Sequence, residues 1–291
     1  MQLLRVARGS SLMTVAFLLF ALAVASSSAF AGSLTKIDAP GAVSTQAYGI
    51  NDRGQIVGNY SDASGDTHGF LQDHGVFTRI DVPGARLTLA FQVNNRSQVV
   101  GAYVDSRGLT RGFLLERGAF TLIDVPGATF SGAVGINDRG QVVGFYFDGT
   151  AQHGFLLDRG VFTRIDVPGA LFTGANRINN RGQIVGSYVD QTGAGHGFLL
   201  DRGVFLTHDV PGASSTANFG INDQGQIVGY YLVGFSGLIG HGFLISQPNF
   251  TVIDILNAPF TEVNGINNQG QIVGFYVDDQ GAAHGFALEI D

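Results

Sequence analysis

Residues 49–58 read Gly-Ile-Asn-Asp-Arg-Gly-Gln-Ile-Val-Gly, and close variants of this phrase begin again at residues 92, 135, 177, 220 and 265. Counted between the Asn residues at its third position, the steps are 43, 43, 42, 43 and 45 residues. Periods of this length are typical of chains built from one repeated supersecondary unit. The chain is therefore predicted to contain six copies of one unit, which we number repeats 1 to 6 in chain order.

Each repeat contains four short segments that read as strands, which we call a, b, c and d. In repeat 1 they are residues 47–51, 55–60, 68–73 and 76–81. The a–b and c–d connections are short and contain glycine, which predicts hairpins and antiparallel neighbours. Strand d is followed by Val-Pro-Gly-Ala, whose proline cannot donate to a sheet. The pattern predicts an all-β fold, a six-bladed β-propeller of four-stranded antiparallel blades. The alternative is a parallel β-helix, whose coils are usually shorter.

The two ends of the repeat array are predicted to meet. Residues 34–42 resemble a strand d and its following turn without the three strands that should precede it. Residues 284–289 resemble a strand c without the strand d that should follow it. Pairing of the N-terminal strand with the C-terminal blade would complete the sixth blade and close the ring. The predicted propeller domain therefore spans residues 32–291.

The first 31 residues are predicted to be a signal peptide. Arg5 and Arg8 precede an apolar run at 12–25, and Ala-Phe-Ala at 29–31 is a favourable cleavage site. The apolar run is shorter than the roughly 20 residues of a membrane span, although an uncleaved anchor is the alternative. We expect a secreted or periplasmic protein with no membrane span after cleavage.

Composition narrows the classes of partner. The 291 residues carry a formal net charge of −7, so the chain lacks the excess of basic residues that is typical of nucleic-acid-binding proteins. The chain also contains no cysteine. Glycine contributes 43 residues without a Gly-X-Y period, which indicates many turns. No nucleophile elbow, zinc-ligand spacing, phosphate loop or paired set of acids stands out. We therefore expect no catalytic residues, no metal and no cofactor.

The cation that begins strand c is predicted to pair with the Asp that follows strand d. A two-residue c–d turn at 74–75 sets His68 opposite Asp81, close enough for a hydrogen-bonded ion pair. Repeat 2 has Arg at the His position, and Arg cannot act as a base. The pairs are therefore interpreted as structural. They are His68–Asp81, Arg111–Asp124, His153–Asp166, His196–Asp209, His241–Asp254 and, across the ring closure, His284–Asp38.

Two further patterns have a structural interpretation beside a functional one. The Asn-Asp/Asn-x-Gly-Gln segment after strand a predicts an Asx-type turn, with a calcium loop as the alternative. One aromatic residue in strand b and one in strand c recur in every repeat and are expected to fill the space between blades. A stacking platform for sugar or peptide is the alternative for the tyrosines. The tyrosines are Tyr60, Tyr103, Tyr146, Tyr188, Tyr231 and Tyr276, and the phenylalanines are Phe70, Phe113, Phe155, Phe198, Phe243 and Phe286.

Function is expected where the repeats differ, on the face that carries the d–a and b–c connections. The b–c loop of repeat 5, residues 232–240, is apolar where the others are polar. An exposed apolar loop often marks a partner or ligand surface, although this one could instead plug the channel mouth. The candidate ligand-binding residues are Arg86, Arg107, Phe130, Phe172, Arg177, Phe235, Leu238 and Glu262.

The motif Gly-Ile-Asn-x-x-Gly-Gln-Ile/Val-Val-Gly followed by His-Gly-Phe-Leu resembles the HAF family of probable extracellular repeat proteins. The likeness covers essentially all of residues 32–291, but the usual His-Ala-Phe is His-Gly-Phe here and Arg-Gly-Phe in repeat 2. The resemblance implies bacterial export and a repeat fold, and it carries over no catalytic residue.

Taken together, these patterns predict a monomeric, secreted, non-enzymatic binding module for a protein or carbohydrate partner. The alternatives are an extracellular enzyme acting on glycans at the channel mouth and a structural surface component. A convergent cluster of acids at that mouth would favour the enzyme.

Overall fold

A computed structural model describes residues 33–234, 239–255 and 258–290, without the side chain of Ile239. These residues form 24 strands and no helix, so the predicted all-β class is confirmed. None of the described segments is a helix that could cross a membrane. The predicted signal peptide, Phe235 and Leu238 lie outside the described residues.

Repeats 1 to 3 form three separate four-stranded sheets, each an antiparallel meander in chain order. In repeat 1 the strands are β2 (Ser44–Ile50), β3 (Ile56–Ser61), β4 (Thr67–Asp73) and β5 (Val76–Ile80). In repeat 2 they are β6 (Leu87–Val93), β7 (Val99–Val104), β8 (Thr110–Glu116) and β9 (Ala119–Ile123). In repeat 3 they are β10 (Phe130–Ile136), β11 (Val142–Phe147), β12 (Gln152–Asp158) and β13 (Val161–Ile165).

The remaining strands form one 12-stranded sheet. Repeat 4 contributes β14 (Phe172–Ile178), β15 (Ile184–Val189), β16 (Gly195–Asp201) and β17 (Val204–His208). Repeat 5 contributes β18 (Ser215–Ile221), β19 (Ile227–Val233), β20 (Ile239–Ser246) and β21 (Asn249–Ile253). Repeat 6 contributes β22 (Phe260–Ile266), β23 (Ile272–Val277) and β24 (Ala283–Leu288), beside which lies β1 (Leu34–Ile37).

This large sheet differs from the predicted set of separate four-stranded units. Within it the meanders are antiparallel as predicted, and single parallel pairs join one meander to the next. Gly195 lies opposite Ser215, and Gly240 lies opposite Phe260. The joints occur where the start of a strand c meets the first residue of the next strand a, at a glycine that permits close approach.

Strand β1 pairs antiparallel with β24, at opposite ends of the described chain. The register runs from Leu34 opposite Leu288 to Ile37 opposite Gly285. This pairing occupies the edge of β24 that strand d occupies in the other repeats.

The six a strands surround a common channel. Each contacts the a strand of its neighbours, in the order β2, β6, β10, β14, β18, β22 and back to β2. We call the end of this channel beside the b–c and d–a connections its loop end, and the end beside the a–b turns its turn end.

Packing between repeats centres on the phenylalanine of strand c. All six of these side chains are at most 1 % exposed. Phe70, for example, packs with Ile37 of β1 and Val273 of β23, so this cluster joins the first and last repeats. The ring leaves no room for a side chain on the neighbouring strand, because a Cβ at Gly58 would lie 2.7 Å from it. The prediction that these residues fill the space between units is confirmed.

Candidate functional site

The loop end of the channel is lined by positions at which the repeats differ. Alternate residues of strand a, such as Thr45 and Ala47, are buried against other strands, and the residues between them lie on the opposite face of the sheet, where several are half-buried. The rim consists of Ser44, Leu87, Phe130, Phe172, Ser215 and Phe260. The middle level consists of the cross-strand pairs Gln46–Asn59, Leu89–Ala102, Gly132–Phe145, Gly174–Ser187, Ala217–Tyr230 and Glu262–Phe275. The deep level consists of Tyr48, Phe91, Val134, Asn176, Phe219 and Asn264. We call these three levels the channel site.

One side of the channel site is a continuous row of aromatic rings. Consecutive ring centroids in this row lie 5.5, 6.0, 5.9, 6.4 and 5.5 Å apart. The opposite side contains Gly174, where an added Cβ would have its nearest neighbour at 3.5 Å. The site is therefore asymmetric even though the fold repeats. In order, the row is Phe219, Tyr230, Phe260, Phe275, Tyr48 and Phe91.

Polar groups are interspersed with these rings. Burial raises the pKa of Glu262 to about 7, against the opposing effect of a hydrogen bond from the Asn264 side chain. Burial, reinforced by the charge of Glu262, raises the pKa values of Tyr48 and Tyr230. These groups are donors and acceptors of hydrogen bonds in a half-buried site at neutral pH.

Two amide side chains extend the polar part of the middle level. Tyr48 Oη donates to Gln46 Oε1 at 2.9 Å, and Asn59 Nδ2 donates to the same oxygen at 3.2 Å. Asn59 Oδ1 is buried and has no hydrogen-bond partner in the described part of the chain.

Arg177 forms the floor of the channel site. Its side chain is only 5 % exposed, and burial lowers its pKa to about 9. Nη1 donates to Val134 O at 2.8 Å and to Asn176 O at 3.0 Å. Nη2 donates to Tyr48 O at 2.7 Å and to Phe91 O at 2.8 Å. One guanidinium thus bridges the a strands of four repeats across the channel.

The turn end is closed by two rings of hydrogen bonds. In the inner ring, the Asn at the third position of each repeat phrase donates through Nδ2 to the same Asn carbonyl of the next repeat, and Asn267 donates to Asn51 O. Asn51 Oδ1 also accepts from the amides of Arg53 and Gln55, so the predicted Asx-type turn is confirmed. The inner ring consists of Asn51, Asn94, Asn137, Asn179, Asn222 and Asn267.

The outer ring alternates Asp and Asn. Each Asn side chain donates to the carboxylates on both sides, as Asn268 Nδ2 does to Asp52 at 2.9 Å and to Asp223 at 3.1 Å. A cavity of about 60 Å³ lies inside the two rings. Among the described residues, no group of His, Asp and Glu is arranged to hold a metal ion. The outer ring consists of Asp52, Asn95, Asp138, Asn180, Asp223 and Asn268.

The histidines of strand c lie away from the channel and contact two acids each in four repeats. His153 Nδ1 lies 3.0 Å from Asp166 Oδ1, and its Nε2 lies 3.0 Å from Asp148 Oδ2 in the b–c loop. In repeat 2, Arg111 bonds to Asp124. The Nδ1–carboxylate distances are 3.0 Å for His68–Asp81, 2.8 Å for His196–Asp209, 2.9 Å for His241–Asp254 and 3.2 Å for His284–Asp38.

The tyrosine of strand b lies against the same histidine. Ring centroids are 5.3 Å apart for Tyr60 and His68 and 4.9 Å apart for Tyr188 and His196. With a carboxylate at Nδ1, a second at Nε2 and a ring against its face, the imidazole is held on several sides. This arrangement favours the structural interpretation of the pair.

The residues predicted for the ligand-binding face do not form one cluster. Arg86 Nη2 donates to Ser106 O, and exposed Arg107 bonds to Asp105, so these two arginines share one loop of repeat 2. Phe130 is 36 % exposed and Phe172 42 % exposed at the rim. Glu262 lies in the channel site.

Arg177 differs from the prediction, which placed it on the loop face. It lies inside the channel because strand a turns this position inward, where Gly49, Gly135, Gly220 and Gly265 stand in other repeats. Its long side chain then reaches carbonyls across the channel instead of solvent.

Comparison with known proteins gives structural relatives only. No protein-family model matches the chain, and no curated protein matches it. The crystal structure of AofleA from Arthrobotrys oligospora has a TM-score of 0.56 at 12 % identity, over 87 % of this chain and 85 % of that one. The fucose-specific lectin from Aleuria aurantia has a TM-score of 0.52 at 11 % identity, over 85 % and 95 %. The fold is that of a β-propeller. At these sequence identities, the similarity shows a shared fold and nothing about function.

Most of the channel site of this propeller was missed by sequence reasoning. Only Glu262, Phe130 and Phe172 were predicted, because all members stand inside strands a and b, whereas function was expected in the loops. A signal was present, because positions such as 46, 48 and 59 vary between repeats while their neighbours recur. Comparing the six copies position by position would have singled them out.

Proposed function

We propose that the chain is an exported, monomeric six-bladed propeller of the HAF type that binds carbohydrate. The six-bladed, closed ring is supported by the pairing of β1 with β24 and by the bond from Asn267 to Asn51 O. Export is supported by the basic and apolar pattern of residues 1–31, and the HAF likeness by the repeat motif itself.

Carbohydrate binding is supported by the channel site. There, aromatic and polar side chains that differ from repeat to repeat lie together around Glu262. A sugar ring has apolar faces that pack on aromatic rings and hydroxyls that need donors and acceptors. Tyr230 and Glu262 offer both kinds of contact in one half-buried place. A mutant of the Aleuria aurantia lectin, similar in fold, forms complexes with Fucα1-6GlcNAc and with α-methyl-L-fucoside.

A glycan-cleaving enzyme is the second candidate. Glycosidases generally use two carboxyl groups about 5–10 Å apart. Glu262 is the one acid among the described residues of the channel site. Binding without cleavage therefore requires fewer groups than hydrolysis does, and it is the function that we put forward.

The test is a glycan array probed with the purified chain, followed by calorimetric titration of the best-bound glycan. Glu262→Gln removes the ionisable group and should weaken binding at least about tenfold, or ~1.4 kcal/mol. The matched control is Glu116→Gln, an exposed acid at a c–d turn, which should bind like the original chain. Equal binding by the two variants, or no array signal, would overturn the proposal. Release of free sugar from the bound glycan would favour the enzyme.

A further inference from the structure

We propose that the channel site is a blind pocket that takes the terminal residue of a glycan, one glycan per chain. This inference rests on the proposed carbohydrate binding and adds the part of the ligand that is recognised. It follows from the closed floor of the channel, from the aromatic row that carries Glu262 and from Gly174, which has no side chain on the other side of the site.

The floor prevents a glycan chain from threading the propeller. All four Nη hydrogens of Arg177 are used, because its two Nη atoms donate to carbonyls of repeats 1, 2, 3 and 4. Beyond it, the Asn and Asp/Asn rings close the turn end through every repeat. A ligand that enters from the loop end must therefore stop at the deep level.

The equivalent positions of other repeats strengthen this floor. Gln92 also carries a long side chain at this level, and its Oε1 lies against Gly49, where an added Cβ would meet it at 2.3 Å. The remaining repeats have glycine there. Two long side chains thus occupy this level, and moving Arg177 would break its four hydrogen bonds to backbone carbonyls.

The wall of the pocket predicts a single occupant. The aromatic row comes from repeats 5, 6, 1 and 2, and Glu262 lies within it. Only one copy of this combination exists among the described residues, so binding cannot repeat with the blades. A ligand sugar that stacks on Tyr230 or Tyr48 would extend toward Gly174, the side where a Cβ has only ordinary contacts.

A ligand entering a blind pocket presents its end, and internal residues of a polymer cannot reach the deep level. The chemical class is therefore a neutral oligosaccharide terminus. Its ring would pack on the aromatic row, and its hydroxyls would bond to Glu262 and Gln46, which are both half-buried. Long polymers should gain affinity only through the number of their ends.

The experiment uses the best-bound array glycan in three forms: free in solution, coupled through its reducing end, and coupled through its non-reducing end. Calorimetry with the free form should give one site per chain. One coupled form should bind like the free glycan, and the other should bind at least a hundredfold more weakly. Equal binding by both coupled forms, or more than one site per chain, would overturn the inference while leaving carbohydrate binding intact.

A space-filling variant provides the second measurement. Gly174→Leu places a side chain in the pocket at a position without positive φ, so the fold should persist with little change in Tm. We expect at least tenfold weaker binding of the free glycan. The control is Ala194→Leu in the b–c loop of the same repeat, which lies outside the channel site. Unchanged affinity in a folded Gly174→Leu variant contradicts the pocket, and absence of any bound glycan contradicts both proposals.

Discussion

His208 and Asn218 are polar residues at positions that are apolar in the other repeats. The residue equivalent to His208 is Ile in the remaining strands d, and the residue equivalent to Asn218 is Ala or Val in the remaining strands a. Asn218 is fully buried, and His208 Nδ1 and Asn218 Oδ1 both lack partners in the described part of the chain. The contact between repeats 4 and 5 therefore contains two unsatisfied polar atoms at positions where the other repeats carry apolar side chains.

Replacing both residues should stabilise the protein. The double variant His208→Ile with Asn218→Ala restores the apolar pair of repeats 1 to 3, and each unsatisfied group costs about 1–3 kcal/mol. We expect a higher free energy of unfolding in urea titrations. Val204→Ala, an exposed change on the same strand, is the control. A double variant no more stable than the original would contradict this reading of the contact.

The increase in the free energy of unfolding that we expect for this double variant should also depend on pH. Burial lowers the pKa of His208, so the unfolded chain binds a proton more readily than the folded one. Above the ordinary histidine pKa of about 6.5, the side chain is neutral in both the folded and the unfolded chain. Below that pH the unfolded chain takes up a proton that the folded chain resists, so the free energy of unfolding falls. The double variant should therefore gain more at pH 5.5 than at pH 7.5.

In four repeats, the b–c loop is tied to strand c by an acid that follows the recurrent tyrosine by two positions. Asp148 Oδ1 accepts from the Thr150 hydroxyl and from the amides of Thr150 and Ala151, and these bonds lower the pKa of the carboxyl. Its other oxygen faces His153. The loop, the strand and the outer hairpin are thus connected through one side chain.

Asp148→Ala should lower Tm by a few degrees at pH 7, because the loop loses its turn and His153 loses a carboxylate. The depressed pKa means that this contribution is present above the ordinary value of 3.8 and is lost as the pH falls through the folded-state value. The difference in Tm from the original chain should therefore shrink in acid. Asp279→Ala, an exposed acid in the loop of repeat 6, should leave Tm unchanged at both pH values. Equal effects of the two variants would contradict the role of Asp148.

Strand-level features were the most predictable from sequence. The meanders, the Asx-type turns and the buried phenylalanines follow from local spacing, which six copies make easy to read. The loop acid was not predicted although it recurs as Asp62, Asp105, Asp148, Asp190 and Asp278, because the c–d hairpin register indicates only one partner for each histidine. The direction of Arg177 depends on which strand is innermost, and no local pattern carries that information.

At the scale of the whole molecule, the outer ring of alternating Asp and Asn offers a test of closure. Asn268 links repeats 5 and 1, while Asn180 makes the same two contacts between repeats 3 and 5. In a closed ring, Asn268→Asp and Asn180→Asp should be equally destabilising. Each removes two amide donors and places three carboxylates in sequence, at a cost of about 2 kcal/mol or more.

The measurement is urea unfolding of both variants at low and high salt. Salt should recover part of the loss because it screens the repulsion between carboxylates. Asn249→Asp, an exposed change at the start of β21, is the control for added charge. A harmless Asn268→Asp beside a destabilising Asn180→Asp would mean that the first and last repeats do not meet through this ring.

Arg177 shows that the floor of the channel depends on one repeat differing from the others. Its guanidinium occupies a place where carbonyls of four repeats converge, and glycines at four of the equivalent positions leave space for it. Six arginines at those positions would gather six positive charges in one buried plane, which no arrangement of carbonyls could offset. Six identical repeats could therefore not share this arginine, so this floor requires a break in the sequence symmetry of the propeller.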